Sequence, residues 1–122
     1  MTLAVRVREQ MSTLLAECVS VISCNLGSVE RIPLGEGREY QVVGETIAIF
    51  RERQGALYAV QAQCPHRAGA LADGIVGAGK VICPLHAFKF ELATGAPLGH
   101  ECGSLKTYGV KVNDRGEILL TV

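Results

Sequence analysis

Cys64-Pro65-His66-Arg67-Ala68-Gly69-Ala70-Leu71 and, with sixteen residues between His66 and the next cysteine, Cys83-Pro84-Leu85-His86 are the two stretches that decide how this chain is read. Each sets a proline directly after a cysteine and a histidine two or three residues beyond it. The proline fixes φ and removes one backbone donor, so the turn is stiff while the amides that follow remain free to point at sulfur. In a tight loop a thiolate and an imidazole so spaced converge on one centre. Two such loops held side by side by strands would clamp a metal centre between them.

The sequence around the hooks is a succession of short strand signals. Runs rich in Val, Ile, Leu, Tyr and Phe occur at Val19 to Cys24, Glu39 to Val43, Thr46 to Glu52, Ala56 to Gln61, Lys80 to Cys83, Ala87 to Leu92, Lys106 to Val112 and Glu117 to Val122. Gly44-Glu45, Gln54-Gly55, Thr94-Gly95 and Asn113-Asp114-Arg115-Gly116 punctuate them in the manner of hairpin turns. The glycines of Asp73 to Gly79 read as a turn between the hooks, and they lack the strand-then-helix setting of a phosphate loop. The spacing predicts an all-β, antiparallel sandwich or barrel-like domain.

With 122 residues the chain is long enough for one core without disulfides. Hydrophobic residues make up 48% and charged residues 20%, a globular and not a disordered composition. Lys+Arg and Asp+Glu are 12 each, so there is no broad basic surface for nucleic acid or an anionic membrane. Leu14 to Ile22 is interrupted by Glu17 and Ser20 and is too short to span a bilayer, and Arg6 and Arg8 do not form the adjacent pair of a twin-arginine signal. These readings predict a cytoplasmic protein with no membrane contact. Cys18, Cys24 and Cys102 are then free thiols, Cys18 and Cys24 buried as small hydrophobes. In residues 1–18, Val7, Met11, Leu14, Leu15 and Cys18 recur at helical intervals. They predict a short N-terminal helix packed on the sandwich, with a partner-docking helix or an extension of no fixed structure as the alternatives.

Two thiolates and two imidazoles fit a two-iron, two-sulfur cluster in which Cys64 and Cys83 bind one iron and His66 and His86 the other. Neutral imidazoles in place of two thiolates leave less negative charge at the metal and make reduction easier. A structural zinc ion would also accept this Cys2His2 set, although zinc sites more often pair cysteine with cysteine. A hydrolase built on Cys64 or Cys83 needs a third residue to orient its base, and none is evident. His100 is left as a solvated loop histidine, because four ligands are already in place.

The hooks, followed by Phe88-Lys89-Phe90 and Thr94-Gly95, resemble those of Rieske-type ferredoxins, and the similarity runs over about residues 20 to 122. The resemblance implies a β-sandwich base at residues 19–122 carrying a small cluster-binding subdomain at about 62–99, a Rieske [2Fe-2S] cofactor, and Cys64, His66, Cys83 and His86 as its ligands. Within the family, Ile32-Pro33-Leu34-Gly35-Glu36-Gly37 and Leu105 to Val112 look most like the small subunit of assimilatory NAD(P)H nitrite reductases, with carriers for aromatic-ring dioxygenases close behind. The implied partners are a reductase and a terminal acceptor, either a siroheme nitrite reductase subunit or an oxygenase. Respiratory relatives join an extra cysteine of each hook in a disulfide; Gly69 and Leu85 stand there, so no bridge forms. Their hydroxyl donors to cluster sulfur fall on Phe88 and Phe90, which have none, and relatives with a proline in the covering loop have it where His100-Glu101 stands.

Overall fold

The computed structural model describes residues 23–65, 69–84, 87–99 and 103–121. The expectations for residues 1–18, for Cys102 and for His100 fall outside these. The described residues contain no α-helix and form antiparallel strands and two short 3-10 turns, in two compact units, residues 32–108 and the pair of segments up to residue 31 and from 109.

The larger unit opens with three strands in a meander: β2, Glu36–Val42; β3, Glu45–Arg51; and β4, Leu57–Gln61, with β3 in the middle. Strand β1, Ser23–Ser28, precedes them in the chain and lies in the second unit. Ile47, Ala48, Ile49 and Phe50 are all buried, because a central strand is covered on both faces. Ala48 and Phe50 point to the same side as Val60 of β4 and enter one cluster, since side chains two apart share a face. The turn joining β2 to β3 is Val43-Gly44, both at positive φ, one residue earlier than the expected Gly44-Glu45. That conformation suits the right-handed twist of a two-residue hairpin.

The chain then forms a second sheet of four short strands in chain order: β5, Ile75–Gly77; β6, Lys80–Ile82; β7, Lys89–Glu91; and β8, Pro97–Leu98. The glycine-rich segment expected as a plain turn thus contains a strand, β5, and a two-residue turn at Ala78-Gly79, both at positive φ. Val81, Phe90 and Leu92 from this sheet region join Ala48, Phe50, Val60, Leu71 and Leu105 in the same buried cluster. Each such large side chain removed from water contributes roughly 1.5–3 kcal/mol, so this cluster holds the two sheets of the unit together.

In the second unit, β1, Ser23–Ser28, pairs with β10, Glu117–Thr121, which pairs in turn with the end of β9, Thr107–Val112. Strand β9 starts in the larger unit, where Thr107 and Tyr108 pair with Val60 and Ala59. Of the strand expected at Val19 to Cys24, only Ser23 and Cys24 are described, and the strand continues to Ser28. Asn113 shapes the β9–β10 turn by accepting the Arg115 and Glu117 amides at 2.9 Å each.

Glu117 then accepts from the side-chain amides of Asn113 and Asn25, each at 3.0 Å, and from Arg115. The Asn113 amide first, then Asn25 and Arg115, hold its carboxyl below the ordinary 4.5. A group whose folded value is depressed binds fewer protons in the folded state, so its stabilisation is present above 4.5 and lost as pH falls through the lower folded value. Glu117→Gln is therefore expected to flatten the fall in denaturation midpoint on acidification below 4.5. Parallel pH profiles for the two proteins would contradict this.

Candidate metal centre

Cys64 and Cys83 are each 1% exposed and belong to the same buried cluster. Sequence order alone puts them nineteen residues apart, and the fold brings both thiols to one core. Each sits at the end of a hairpin arm that closes on itself in the same way. Around the first hook, the Leu71 amide donates to Ala62 O at 2.9 Å, Gln63 bridges Ala70, and the Cys64 amide donates to Gly69 O at 2.8 Å. Around the second, Ile82 pairs with Lys89 and the Cys83 amide donates to Phe88 O at 2.7 Å.

Both cysteines thus close loops of four residues, 65–68 and 84–87, by a bond from residue i to residue i+5. Pro65 and Pro84 are the first loop residues and are exposed, while the cysteines before them are buried. The chain thus turns outward directly after each cysteine, leaving the cysteine in the core and the residue after it in solvent. Ala87, the last residue of the second loop, takes φ +58, unusual for a residue with a β-carbon. His66 and His86 lie in the two loops, outside the described residues.

The surroundings of the first hook are fixed by side chains that the sequence did not single out. Gln61 donates from its side-chain amide to Gln63 O at 2.8 Å and accepts the Lys106 amide at 2.8 Å. It ties the approach to Cys64 to the segment that returns after residue 103. A β-carbon placed on Gly103 would lie 3.9 Å from Pro65 Cβ, so that segment runs along the first hook. Beside it, Tyr108 donates to Glu45. Burial first, and the Glu45 carboxylate second, push the Tyr108 hydroxyl up to about 12, and the same bond is the main reason the Glu45 carboxyl is lowered.

Two buried thiols from matching loops, each loop carrying an imidazole, fit a cluster with mixed ligands better than a catalytic cysteine. A nucleophile has to meet its substrate, and these sulfurs are screened from solvent.

The ferredoxin component of the naphthalene 1,2-dioxygenase/salicylate 5-hydroxylase systems of Ralstonia sp is 34% identical over 90 residues, 70% of this chain and 83% of that protein. A 4beta-methylsterol monooxygenase of Methylococcus capsulatus is 38% identical over 65 residues, but the match covers 52% of this chain and only 18% of that longer protein. Among solved structures, one described as the small subunit of an NADPH nitrite reductase superposes with a TM-score of 0.73 at 29% identity, covering 81% of this chain and 97% of its own. The family model for the Rieske [2Fe-2S] domain matches residues 23–109. With the family model spanning most of the chain and the all-β fold in agreement, the chain belongs to the Rieske [2Fe-2S] domain family, and its cofactor is a Rieske-type cluster.

Proposed function

We propose that this chain is a one-electron carrier whose cluster is held by Cys64, His66, Cys83 and His86, and that it serves as the small electron-transfer subunit of a nitrite reductase. The observation that carries the ligand reading is the pair of equivalent loops that bring Cys64 and Cys83 into one buried cluster. The bound cluster supplies one-electron oxidation and reduction; the chain binds it, screens its thiolate side and offers the loop surface to partners. No bond-making step is assigned to the chain itself. Residues 19–122 form the Rieske domain in this reading, with the cluster-binding subdomain at about 62–99, a range that includes both hook loops and the sheet β5–β8. Residues 1–18 are an extension outside it.

Its partners are redox proteins: a reductase that fills it and an acceptor that empties it. The nitrite reductase reading is supported by the solved small subunit, matched over 97% of its length. A ferredoxin that supplies a ring-hydroxylating dioxygenase is the second reading, supported by 34% identity to the Ralstonia component. No helix among the described residues is long and apolar enough to cross a membrane. A cytoplasmic location is part of the proposal.

Phe88 and Phe90 stand where hydroxyl donors to cluster sulfur would be, and Phe90 is fully buried in the core. Hydrogen bonds to sulfur raise the potential by stabilising the reduced state, so their loss lowers it. A redox titration is expected to give a midpoint between about −150 mV and zero, the low end for Rieske centres. A value near +300 mV would show that other donors compensate. Mixing the reduced protein with a siroheme nitrite reductase subunit and, separately, with a ring-hydroxylating oxygenase decides the partner: rapid single-turnover oxidation by the first alone supports the main reading, and by the second alone replaces it.

A further inference from the structure

Glu52 is a buried acid in a charged and polar stretch, Arg51-Glu52-Arg53-Gln54. It is 2% exposed, and both of its carboxyl oxygens accept: one from the Gln54 side-chain amide at 2.7 Å, the other from the Gly79 backbone amide at 2.6 Å. Its own backbone is fixed as well, its amide donating to Ala56 O at 2.9 Å and its carbonyl accepting from Gly55 at 2.8 Å. Among the described residues no lysine or arginine forms an ion pair with it.

Gly79 is the second residue of the two-residue turn between β5 and β6. Its N–H lies outside the strand ladder, where water ordinarily takes it; here the Glu52 carboxyl does. Its carbonyl accepts from Leu92 at 2.8 Å. From this doubly held peptide, β6 runs straight into Cys83, four residues and about 13 Å along an extended strand. Leu92, on the other side, directly follows the return strand β7 from the same hook. Glu52 itself follows β3, the partner of the strand that leads to Cys64. One side chain therefore joins the scaffold of the first hook to that of the second, at the ends remote from the hooks.

We propose that Glu52 is a positioning residue for the second hook: its carboxyl, bonded to Gly79 and Gln54, fixes where the β5–β6 hairpin sits on the base sheet and thereby where Cys83 is presented relative to Cys64. A role in stability alone accounts poorly for it, because taking a carboxyl out of water is costly and an apolar side chain of similar size fills the space as well. The functional side of this inference rests on the cluster reading above.

The test compares Glu52→Ala, Glu52→Gln and, as a control on the opposite face of β3, Ile47→Val. Hydrogen exchange is measured amide by amide, together with the midpoint potential and the low-temperature electron paramagnetic resonance line shape of the reduced protein. In Glu52→Ala the Cys83 amide is expected to exchange about tenfold faster relative to the Cys64 amide, the size of effect that follows loss of one well-made hydrogen bond. The resonance should broaden and the potential shift. Glu52→Gln, which keeps the volume and one acceptor, should recover part of each effect and remains usable should the alanine variant not fold. Ile47→Val should lower stability without changing the Cys83 to Cys64 exchange ratio. Equal acceleration of both cysteine amides, with line shape and potential as in the parent, would overturn the proposal. Absence of a Rieske signal from the parent protein would instead count against the cluster reading, and the exchange ratio would still test the latch.

Discussion

Replacing His86 with alanine is expected to give a protein that purifies without the brown colour of the parent and without a Rieske resonance on reduction. In the proposed ligand set Cys83 and Cys64, both buried, would hold one iron, and alanine at 86 would leave the other without one of its donors. Metal binding and the order of its loops are coupled, so loss of one ligand removes both the donor and the energy that organised the loop. Even removal of residues that merely orient a ligand costs 10- to 100-fold in metal affinity, so loss of a ligand itself should exceed roughly 100-fold. His66→Ala should behave the same way, because its loop closes by the same amide-to-carbonyl bond. Iron content and the visible spectrum check both. Near-normal cluster content in both variants would refute these ligands, and a colourless parent loaded with zinc after anaerobic, iron-replete purification would refute the cluster.

Gly74→Ala is expected to be nearly as damaging, though residue 74 is no ligand. Gly74 has φ −81, which any residue adopts, so the effect is one of space. A β-carbon there would lie 2.2 Å from the Ile82 carbonyl oxygen and 3.1 Å from the Leu71 carbonyl oxygen. All of these are backbone atoms, with no flexible side chain to give way. Ile82 immediately precedes Cys83, and Leu71 closes the arm of the first hook, so the separation forced at Gly74 is transmitted to both. Overpacking of this kind costs about 3 kcal/mol at the upper end of its usual range, a fall in melting temperature on the order of 10–20 °C. Gly77→Ala is the control, since a β-carbon there meets nothing within 4 Å. Equal melting temperatures for the two variants would show that the Gly74 contact is not tight in solution.

The centre of the fold was legible because its signals are local. Ile47 to Phe50 form a continuous apolar run, and Tyr58 to Val60 with Thr107 to Val112 show strand composition, so their strands were found to within a residue or two. The hooks were legible for the same reason, a fixed spacing of rare side chains. Strand β5 was missed because Gly74, Gly77 and Gly79 weigh against any strand, and only pairing with β6 makes one. Glu36 to Arg38 were missed as the start of β2 because they are charged, although the register with β3 carries them into the sheet. Glu52 was invisible in principle: nothing in Arg51-Glu52-Arg53 says that the middle residue turns inward to meet a turn twenty-seven residues later. Ala87 gives no sign in sequence of its positive φ, since alanine rarely adopts it.

The backbone bonds that close the two cysteine loops also bear on how such a protein survives damage. Oxidants strip iron and sulfide from exposed clusters, and a cysteine freed in this way ordinarily climbs to sulfenic or sulfinic acid, the latter beyond ordinary repair. Here the bonds from Cys64 to Gly69 and from Cys83 to Phe88 are made by main-chain atoms at the base of each loop, on the core side of the cysteines. Both cysteines lie in the buried Phe50, Leu71 and Phe90 core, a position that shields a thiol from peroxide and from small thiols. In that setting fresh iron and sulfide would suffice to rebuild the centre, because thiols kept reduced by burial need no repair.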